Sequence, residues 1–282
     1  MASEATITEI ASFISLKKRQ IPDPFGSDFY QDLVALYGLK RDPVSSARNN
    51  LMTFEELSMP VMDYFLHERK LPKPDVLIVS HLVPNCVSYN STTSMLLDRY
   101  QLEAYAFAIS DQGTAPMLTA MRLCRDLLGG PRKRAIILGI DQTSVPLNHA
   151  VLDEREAVDT CIGLYVDSDV HSKGLSFVDY RTHKLGSQTV SDLTTGLLRD
   201  HGVTSESVRA VASPLGGPEG NFRSVVQTSS RHLTTGVFEG LLEVLTGRDE
   251  MGYLLLQDQS LGRLSQLLLA RLWDPVVRRI SG

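Results

Sequence analysis

Residues 104–141 have the sequence AYAFAISDQGTAPMLTAMRLCRDLLGGPRKRAIILGID. A β-favouring run at 105–109 leads through small and polar residues at 110–115 into apolar side chains at helical spacing, and a second apolar run fills 135–140. This order predicts a strand–turn–helix–strand unit of an α/β sheet. The turn into the helix is where such proteins place nucleophiles and anion sites, because unpaired amides and the positive end of the helix dipole meet there.

The turn of this unit carries Asp111, Gln112, Gly113 and Thr114. It contains neither a cysteine nor the G-x-S-x-G pattern that marks a serine nucleophile. An aspartate at the start of a helix is typical of a cap. On these residues alone, the segment is interpreted as a packing unit of the sheet.

The composition and net charge of the chain argue against some classes of function. The chain has 282 residues, 43% of them hydrophobic, with a formal net charge of -5 and a pI near 5.8. An acidic balance argues against general nucleic-acid or anionic-membrane binding, since both need a clustered basic surface. The N-terminal residues lack the pattern of a signal peptide and the apolar runs are strand-sized, so we expect a cytoplasmic protein without a membrane span.

The three cysteines are too few and too scattered for a disulfide framework or a zinc site. Cys124 falls on the apolar face of its predicted helix and Cys161 begins an apolar strand, so both are predicted to be core residues. Cys86 follows a strand-like run and is kept as a reactive candidate. The histidines have no metal-ligand spacing, and the sequence predicts no cofactor.

Strand and helix patterns alternate along the chain. Thr53 and Glu56 form a capping-box signature before a predicted helix, in which Pro60 should cause a kink or move the start downstream. The other predicted strands are 7–16, 76–80, 157–166, 175–180, 209–212, 222–227 and 253–257; the helices are 29–37, 91–100, 190–201 and 236–245; residues 264–273 fit either type. A break near 167–186 predicts two βαβ-type halves, residues 1–166 and 167–282, that share one layered core.

Several segments together resemble one family. Residues 106–109 (AFAI) leading into 113–115 (GTA), 76–84 (VLIVSHLVP), 135–141 (AIILGID) and 204–214 (TSESVRAVASP) are similar, in the same order, to segments of the β-ketoacyl-acyl-carrier-protein synthase III group. The resemblance implies a thiolase fold, an α/β architecture layered α-β-α-β-α. Enzymes of this group use a cysteine nucleophile at a helix start, with a histidine and an asparagine, to condense an acyl thioester with a malonyl thioester.

The resemblance can be carried over position by position. The nucleophile position falls on Gly113, or on Gln112 with an offset of one residue, and neither is a nucleophile. The histidine position falls on Pro214, or on Pro218 if Gly220 and Asn221 are aligned with the family's A-N pair. The resemblance therefore implies that neither group is present.

The asparagine position falls on Leu233 or the neighbouring His232. The family's glycine-rich last loop is replaced by residues 258–264 (DQSLGRL), and residues 214–222 leave little room for the helix that follows the family's histidine. Loss of every catalytic position at once indicates a pseudoenzyme rather than an altered enzyme.

The resemblance also implies a partner. Dimers of this group pair the strand before the nucleophile across a twofold axis, and here that strand keeps the apolar, β-favouring residues Tyr105, Phe107 and Ile109. The chain is similar to the inactive subunit of heterodimeric alkylquinolone-type condensing enzymes. We therefore expect a heterodimer or heterotetramer with a catalytic synthase III-like paralogue, with acyl-CoA or acyl carrier protein engaged through that partner.

Two alternatives remain open. The chain could be an acyltransferase or decarboxylase of the same fold that works without the cysteine, with Asp111 and His232 as acid/base groups. It could instead be a different α/β protein that uses Cys86 or a serine near a strand end, such as Ser80, Ser110 or Ser144, although none of these has the flanking glycines of a nucleophile elbow.

Overall fold

A computed structural model describes residues 5–15, 52–83, 85, 91–110, 112–143, 157–168, 174–213, 221–246, 252–272 and 274–281. The strands are β1 (Thr6–Ile14), β2 (Val76–His81), β3 (Tyr105–Ile109), β4 (Arg134–Asp141), β5 (Thr160–Asp167), β6 (Leu175–Lys184), β7 (Val208–Ala212), β8 (Ser224–Gln227), β9 (Gly252–Ser260), β10 (Arg263–Arg271) and β11 (Val276–Ser281). The α-helices are α1 (Phe54–Asp63), α2 (Thr92–Arg99), α3 (Pro116–Leu127), α4 (Val190–Asp200) and α5 (Gly236–Thr246).

The strands form two runs of five with the same internal order. The first run is β3-β2-β4-β5-β1 and the second is β8-β7-β9-β10-β6. In each run, three strands are parallel and the last two are antiparallel to their neighbours. Among the described residues, the two runs are hydrogen-bonded to each other only through a short antiparallel pairing of β1 with β6, and β11 pairs with β1 in parallel.

The helices separate these strands into layers. The largest core holds α3 and α5 between the two runs, with side chains from both, including Ile78, Met121, Leu241 and Leu256. A second core packs α1 and α2 on the outer face of the first run, and a third packs α4 on the outer face of the second. The layers therefore follow the order α-β-α-β-α that the sequence predicts.

Local sequence signals place the helix starts. The Thr53 hydroxyl accepts from the amide of Glu56 at 3.1 Å, and the Glu56 carboxylate accepts from the amide of Thr53 at 3.0 Å, as the capping box predicts. Pro60 does not displace this start: α1 runs through it and widens into a π-helical turn at Tyr64–Glu68. No helix in the described ranges is long and apolar enough to cross a membrane.

The C-terminal strands differ most from the sequence-based prediction. Residues 264–273 had no clear period, and the structure shows that β10 is a strand that is buried for most of its length between β9 and β6. A strand covered on both faces loses the alternation of polar and apolar residues that identifies it in sequence. The strand β11 was not predicted, and the predicted helix at 29–37 lies outside the described residues.

Candidate functional site

The turn between β3 and α3 brings Gly113 against the loop that follows β9. Gly113 has a left-handed backbone with φ of +58°, which favours glycine. A Cβ atom built on it would lie 1.8 Å from the Ser260 hydroxyl oxygen and 2.8 Å from Ser260 Cβ. The position that the family resemblance assigns to the nucleophile therefore has no room for a side chain.

The neighbouring residue, Thr114, fixes this turn to the end of β9. Its amide donates to the Ser260 hydroxyl at 3.1 Å, and its hydroxyl donates to the two carboxylate oxygens of Asp258 at 3.0 and 2.8 Å. Asp258 is buried, so the contact is shielded from water. The Asp258 carboxylate is therefore bonded to the residue two positions before Pro116, the first residue of α3, where the sequence pattern allows an anion site.

A second buried carboxylate closes the start of α5. Asp141, the last residue of β4, accepts from the amides of Leu233 at 2.8 Å, Thr234 at 2.7 Å and Thr235 at 3.1 Å. It also accepts from the Thr235 hydroxyl at 2.6 Å. One of these residues, Leu233, occupies the position that the resemblance assigns to the asparagine. The three backbone amides already donate to Asp141 within the chain.

The two aspartates occupy equivalent places in the two runs of strands. Asp141 ends β4 and Asp258 lies near the end of β9, and each of these strands is the third of its run. Each aspartate holds a threonine at the start of the central helix of the opposite run, Thr235 for Asp141 and Thr114 for Asp258. We call this pair the reciprocal aspartate caps.

His232 and Asp159 lie beside the cap of α5. The His232 Nδ1 atom is 3.5 Å from the hydroxyls of Thr160 and Thr235, and burial holds the pKa of the imidazole below its usual value, against the opposing effect of Asp141. The ring is therefore neutral at neutral pH. Asp111, the other acid/base candidate, lies outside the described residues, so its role stays a prediction.

Asp159 is a buried acid that the sequence analysis did not single out. Its Oδ1 atom accepts from the amide and hydroxyl of Thr143 at 2.6 and 2.9 Å, and its Oδ2 atom has no hydrogen-bond partner. Burial, opposed by the bonds from Thr143 and reinforced by Asp141, raises the pKa of this carboxyl to about 6. It is therefore a carboxyl near the α5 cap that titrates in mildly acidic solution.

The structure describes two of the three cysteines and neither of the two prolines that the sequence analysis named as candidate positions. Cys124 and Cys161 are fully buried, as predicted, and burial raises the pKa of both thiols, so neither is a reactive thiolate. Cys86, Pro214 and Pro218 lie outside the described residues. The connection between β7 and β8, residues 213–223, is less than half as long as its counterpart between β2 and β3, residues 82–104, which contains α2.

A groove of about 420 Å³ opens beside the first turn of α3. Gln112 and Thr119 line one wall, and Tyr180 and Arg263 line the other. The Thr119 and Tyr180 hydroxyls lie 3.2 Å apart. The volume is that of a small-molecule site, but the Ser260 hydroxyl at its edge already accepts the Thr114 amide.

The strand that carries the predicted interface lies at the open end of the first run. No described strand pairs with the outer side of β3. The Tyr105 side chain is 54% exposed, Phe107 is half-buried and Ile109 is buried. The Tyr105 amide donates inward to the Asp75 carbonyl at 2.9 Å, so strand alternation turns the amides of Ala106 and Ala108 outward.

Comparison with solved structures identifies the fold. The chain is similar to 3-oxoacyl-(acyl carrier protein) synthase III, FabH, from Pseudomonas aeruginosa PAO1, with a TM-score of 0.67 and 14% identity over 97% of this chain and 99% of that one. It is similar to the tetronic acid condensing enzyme AbyA1, with a TM-score of 0.66 and 14% identity over 94% and 99% of the two chains. It is also similar to acetamide-bound OleA from Xanthomonas campestris, with a TM-score of 0.65 and 11% identity over 95% and 99%.

No protein-family model matches the chain, and no curated protein sequence matches it. The structural likeness extends over nearly the whole chain at low identity, so it establishes the fold. The α/β thiolase fold predicted from the sequence is confirmed. What the chain does must be argued from its own residues.

Proposed function

We propose that this protein is a non-catalytic subunit of a condensing enzyme of the synthase III type, paired with a catalytic paralogue. The observation that carries the proposal is the pair of reciprocal aspartate caps. They occupy, with buried carboxylates, the starts of both central helices, α3 and α5. These are the two helix starts at which the resemblance expects a nucleophile and an asparagine.

Condensation chemistry needs groups that these helix starts do not provide. A nucleophile must hold the acyl group, and hydrogen-bond donors must stabilise the charge that develops on the thioester oxygen. Gly113 offers no side chain, and the Thr114 amide is already bonded to Ser260. At α5 the amides of residues 233–235 are bonded to Asp141, so they are not free to stabilise an oxyanion.

The partner surface in this proposal is the outer side of β3. A bare sheet edge with outward amides and an exposed aromatic side chain pairs readily with another strand unless it is protected. The Tyr105 ring packs on Phe107 with centroids 5.4 Å apart, and the Arg132 guanidinium lies 5.4 Å from the Tyr105 ring centroid. This edge gives the paralogue an ordered strand with which to continue the sheet.

In the proposed complex, the acyl substrate reaches the cysteine of the catalytic paralogue. Acyl-CoA or acyl carrier protein binds through that paralogue, and this chain supports the helix that carries its nucleophile. The groove beside α3 lies next to the turn that follows β3, so it borders the proposed interface. Its contribution would be to shape the shared acyl pocket.

Co-expression with a synthase III-like paralogue tests the proposal. Size-exclusion chromatography and native mass measurement report association, and an acyl-condensation assay is run on each chain and on the pair. We expect turnover only in the pair, lost when the paralogue's cysteine is replaced. A well-folded monomer that associates with no synthase III-like chain contradicts the proposal.

A matched pair of variants at Ala108 tests the interface. Ala108→Pro removes an amide that points away from β2, so it should leave the fold intact and prevent pairing across the edge. Ala108→Thr keeps the amide and a β-favouring side chain, so it should still associate. Equal association of the two variants would show that β3 is not the interface.

The acyl-condensation assay also distinguishes the non-catalytic role from the alternative function. Turnover by this chain alone, lost in His232→Ala or Asp111→Ala, would instead establish a cysteine-independent acyltransferase or decarboxylase. Turnover by the pair that survives both substitutions supports the non-catalytic role.

A further inference from the structure

A small pocket lies at the end of the second run of strands that is opposite to the aspartate caps. Arg209, Arg223 and Arg271 line it, together with Ser207 and residues 252–254 at the start of β9. The Asp258–Thr114 cap lies at the other end of β9, a strand of nine residues. From residue 253 to Asp258, at about 3.3 Å per residue, the pocket is roughly 17 Å from the Thr114 cap, so it is a separate feature.

Arg271 contributes a buried guanidinium to this pocket. It is only 4% exposed, and its Nη1 atom has no hydrogen-bond partner. Asp274 accepts from its Nε atom at 2.7 Å and also forms an ion pair with Nη2, but the Asp274 side chain is 67% exposed. A buried guanidinium donor without an acceptor is costly, which indicates that the site is complete only when an acceptor is bound.

The other two arginines stand at the opening. Arg209 is half-buried and Arg223 is exposed, and both make further polar contacts of their own. The Arg223 amide donates to the Val208 carbonyl at 3.0 Å, which fixes its backbone beside the start of β7. Two further arginines therefore line the pocket beside the residue that carries the buried donor, in a chain with a net charge of -5.

We propose that this three-arginine pocket binds a tetrahedral oxyanion of the phosphate class. The enclosed volume is about 10 Å³, enough for a single water-sized group, so one oxygen of the anion would enter and accept from Arg271 Nη1. The remaining oxygens would lie at the opening, between Arg209 and Arg223. Planar guanidinium forks match the oxygens of phosphate, and three of them suit a tetrahedral anion better than a flat carboxylate.

Titration with inorganic phosphate tests the site. Isothermal calorimetry and thermal unfolding are measured on the full chain at constant ionic strength, with chloride and acetate as the comparison anions. We expect phosphate to raise the unfolding temperature above the chloride value and acetate to leave it unchanged. An equal effect of phosphate and chloride at the same ionic strength would overturn the proposal, because it would reflect screening alone.

Three substitutions locate the binding. Arg271→Gln should weaken phosphate binding by about tenfold or more, and Arg223→Gln, at an exposed position, by several-fold, because each removes a charge-assisted contact. Arg199→Gln is the matched control, since Arg199 is highly exposed on α4 and does not line the pocket. Wild-type affinity in both Arg271→Gln and Arg223→Gln would overturn the proposal, even if one variant folds poorly.

Phosphoserine serves as a second probe and distinguishes the source of the anion. Tighter binding of phosphoserine than of inorganic phosphate supports the site and indicates a phosphate monoester on a larger molecule. Binding of inorganic phosphate alone supports the site and indicates the free ion. Binding of neither overturns it.

Discussion

Replacing Gly113 by alanine tests the steric argument on which the non-catalytic proposal depends. The backbone at Gly113 has a φ of +58°, and a left-handed conformation costs a residue with a Cβ atom about 1–2 kcal/mol. The new Cβ would lie 1.8 Å from the Ser260 hydroxyl oxygen, and overpacking of this kind costs about 1–3 kcal/mol. Displacing Ser260 also weakens its bond from the Thr114 amide, worth about 1 kcal/mol.

We therefore expect Gly113→Ala to lower the free energy of unfolding by about 3–6 kcal/mol. Urea denaturation followed by circular dichroism measures this loss. Gly196→Ala in α4 is the matched control, because no atom lies within 4 Å of the added Cβ and helix propensity should make it stabilising by about 0.5–1 kcal/mol.

A second substitution separates the cost of overpacking from the cost of backbone strain. Adding Ser260→Gly to Gly113→Ala removes the collision and should recover the overpacking part, leaving about 1–2 kcal/mol of backbone strain and about 1 kcal/mol for the lost Thr114–Ser260 bond. A loss below about 1 kcal/mol in Gly113→Ala would refute the reasoning, since the turn could then reshape to accept a side chain. Gly113→Cys would in that case become a direct test for restored condensation chemistry.

Three other outcomes concern the α5 cap. Asp141→Ala leaves the amides of Leu233 and Thr235 buried without an acceptor, so urea denaturation should show a loss of about 3 kcal/mol or more, and a smaller loss would mean that water replaces the carboxylate. The pKa of Asp159 is raised from 3.8 to about 6 in the folded chain, so stability should fall by up to about 3 kcal/mol as the pH rises from 4 to 7, and Asp159→Asn should flatten this slope. The lowered pKa of His232 affects stability in the opposite direction. The free energy of unfolding should decrease as the pH falls below 6.5, and His232→Asn should remove this decrease.

The sequence predicted the elements whose signals are local. The unit quoted from residues 104–141 folds as β3, α3 and β4, and Thr53 with Glu56 caps α1 through contacts three residues apart. In both cases the side chains that specify the structure are neighbours along the chain. Their periodicity and spacing are therefore visible without the rest of the fold.

The aspartate caps depend on contacts that no local pattern reveals. Asp141 lies within the stretch that predicted the fold, yet its partner Thr235 is 94 residues further on, and Asp258 and Thr114 are 144 residues apart. An aspartate after a strand fits a turn, a cap or a site equally well. Only the meeting of the two runs of strands shows which carboxylate reaches which helix.

The reciprocal aspartate caps also have a consequence for how the chain can be divided. Each half of the molecule supplies the acceptor for the other half's central helix, so a fragment expressed alone would expose several unpaired helix amides and lose one wall of the shared core. We expect the fragments 1–168 and 174–282 to be insoluble or unfolded when separate and to recover the fold only when produced together. We expect the duplicated architecture to unfold as one cooperative unit, because each copy completes the helix start of the other.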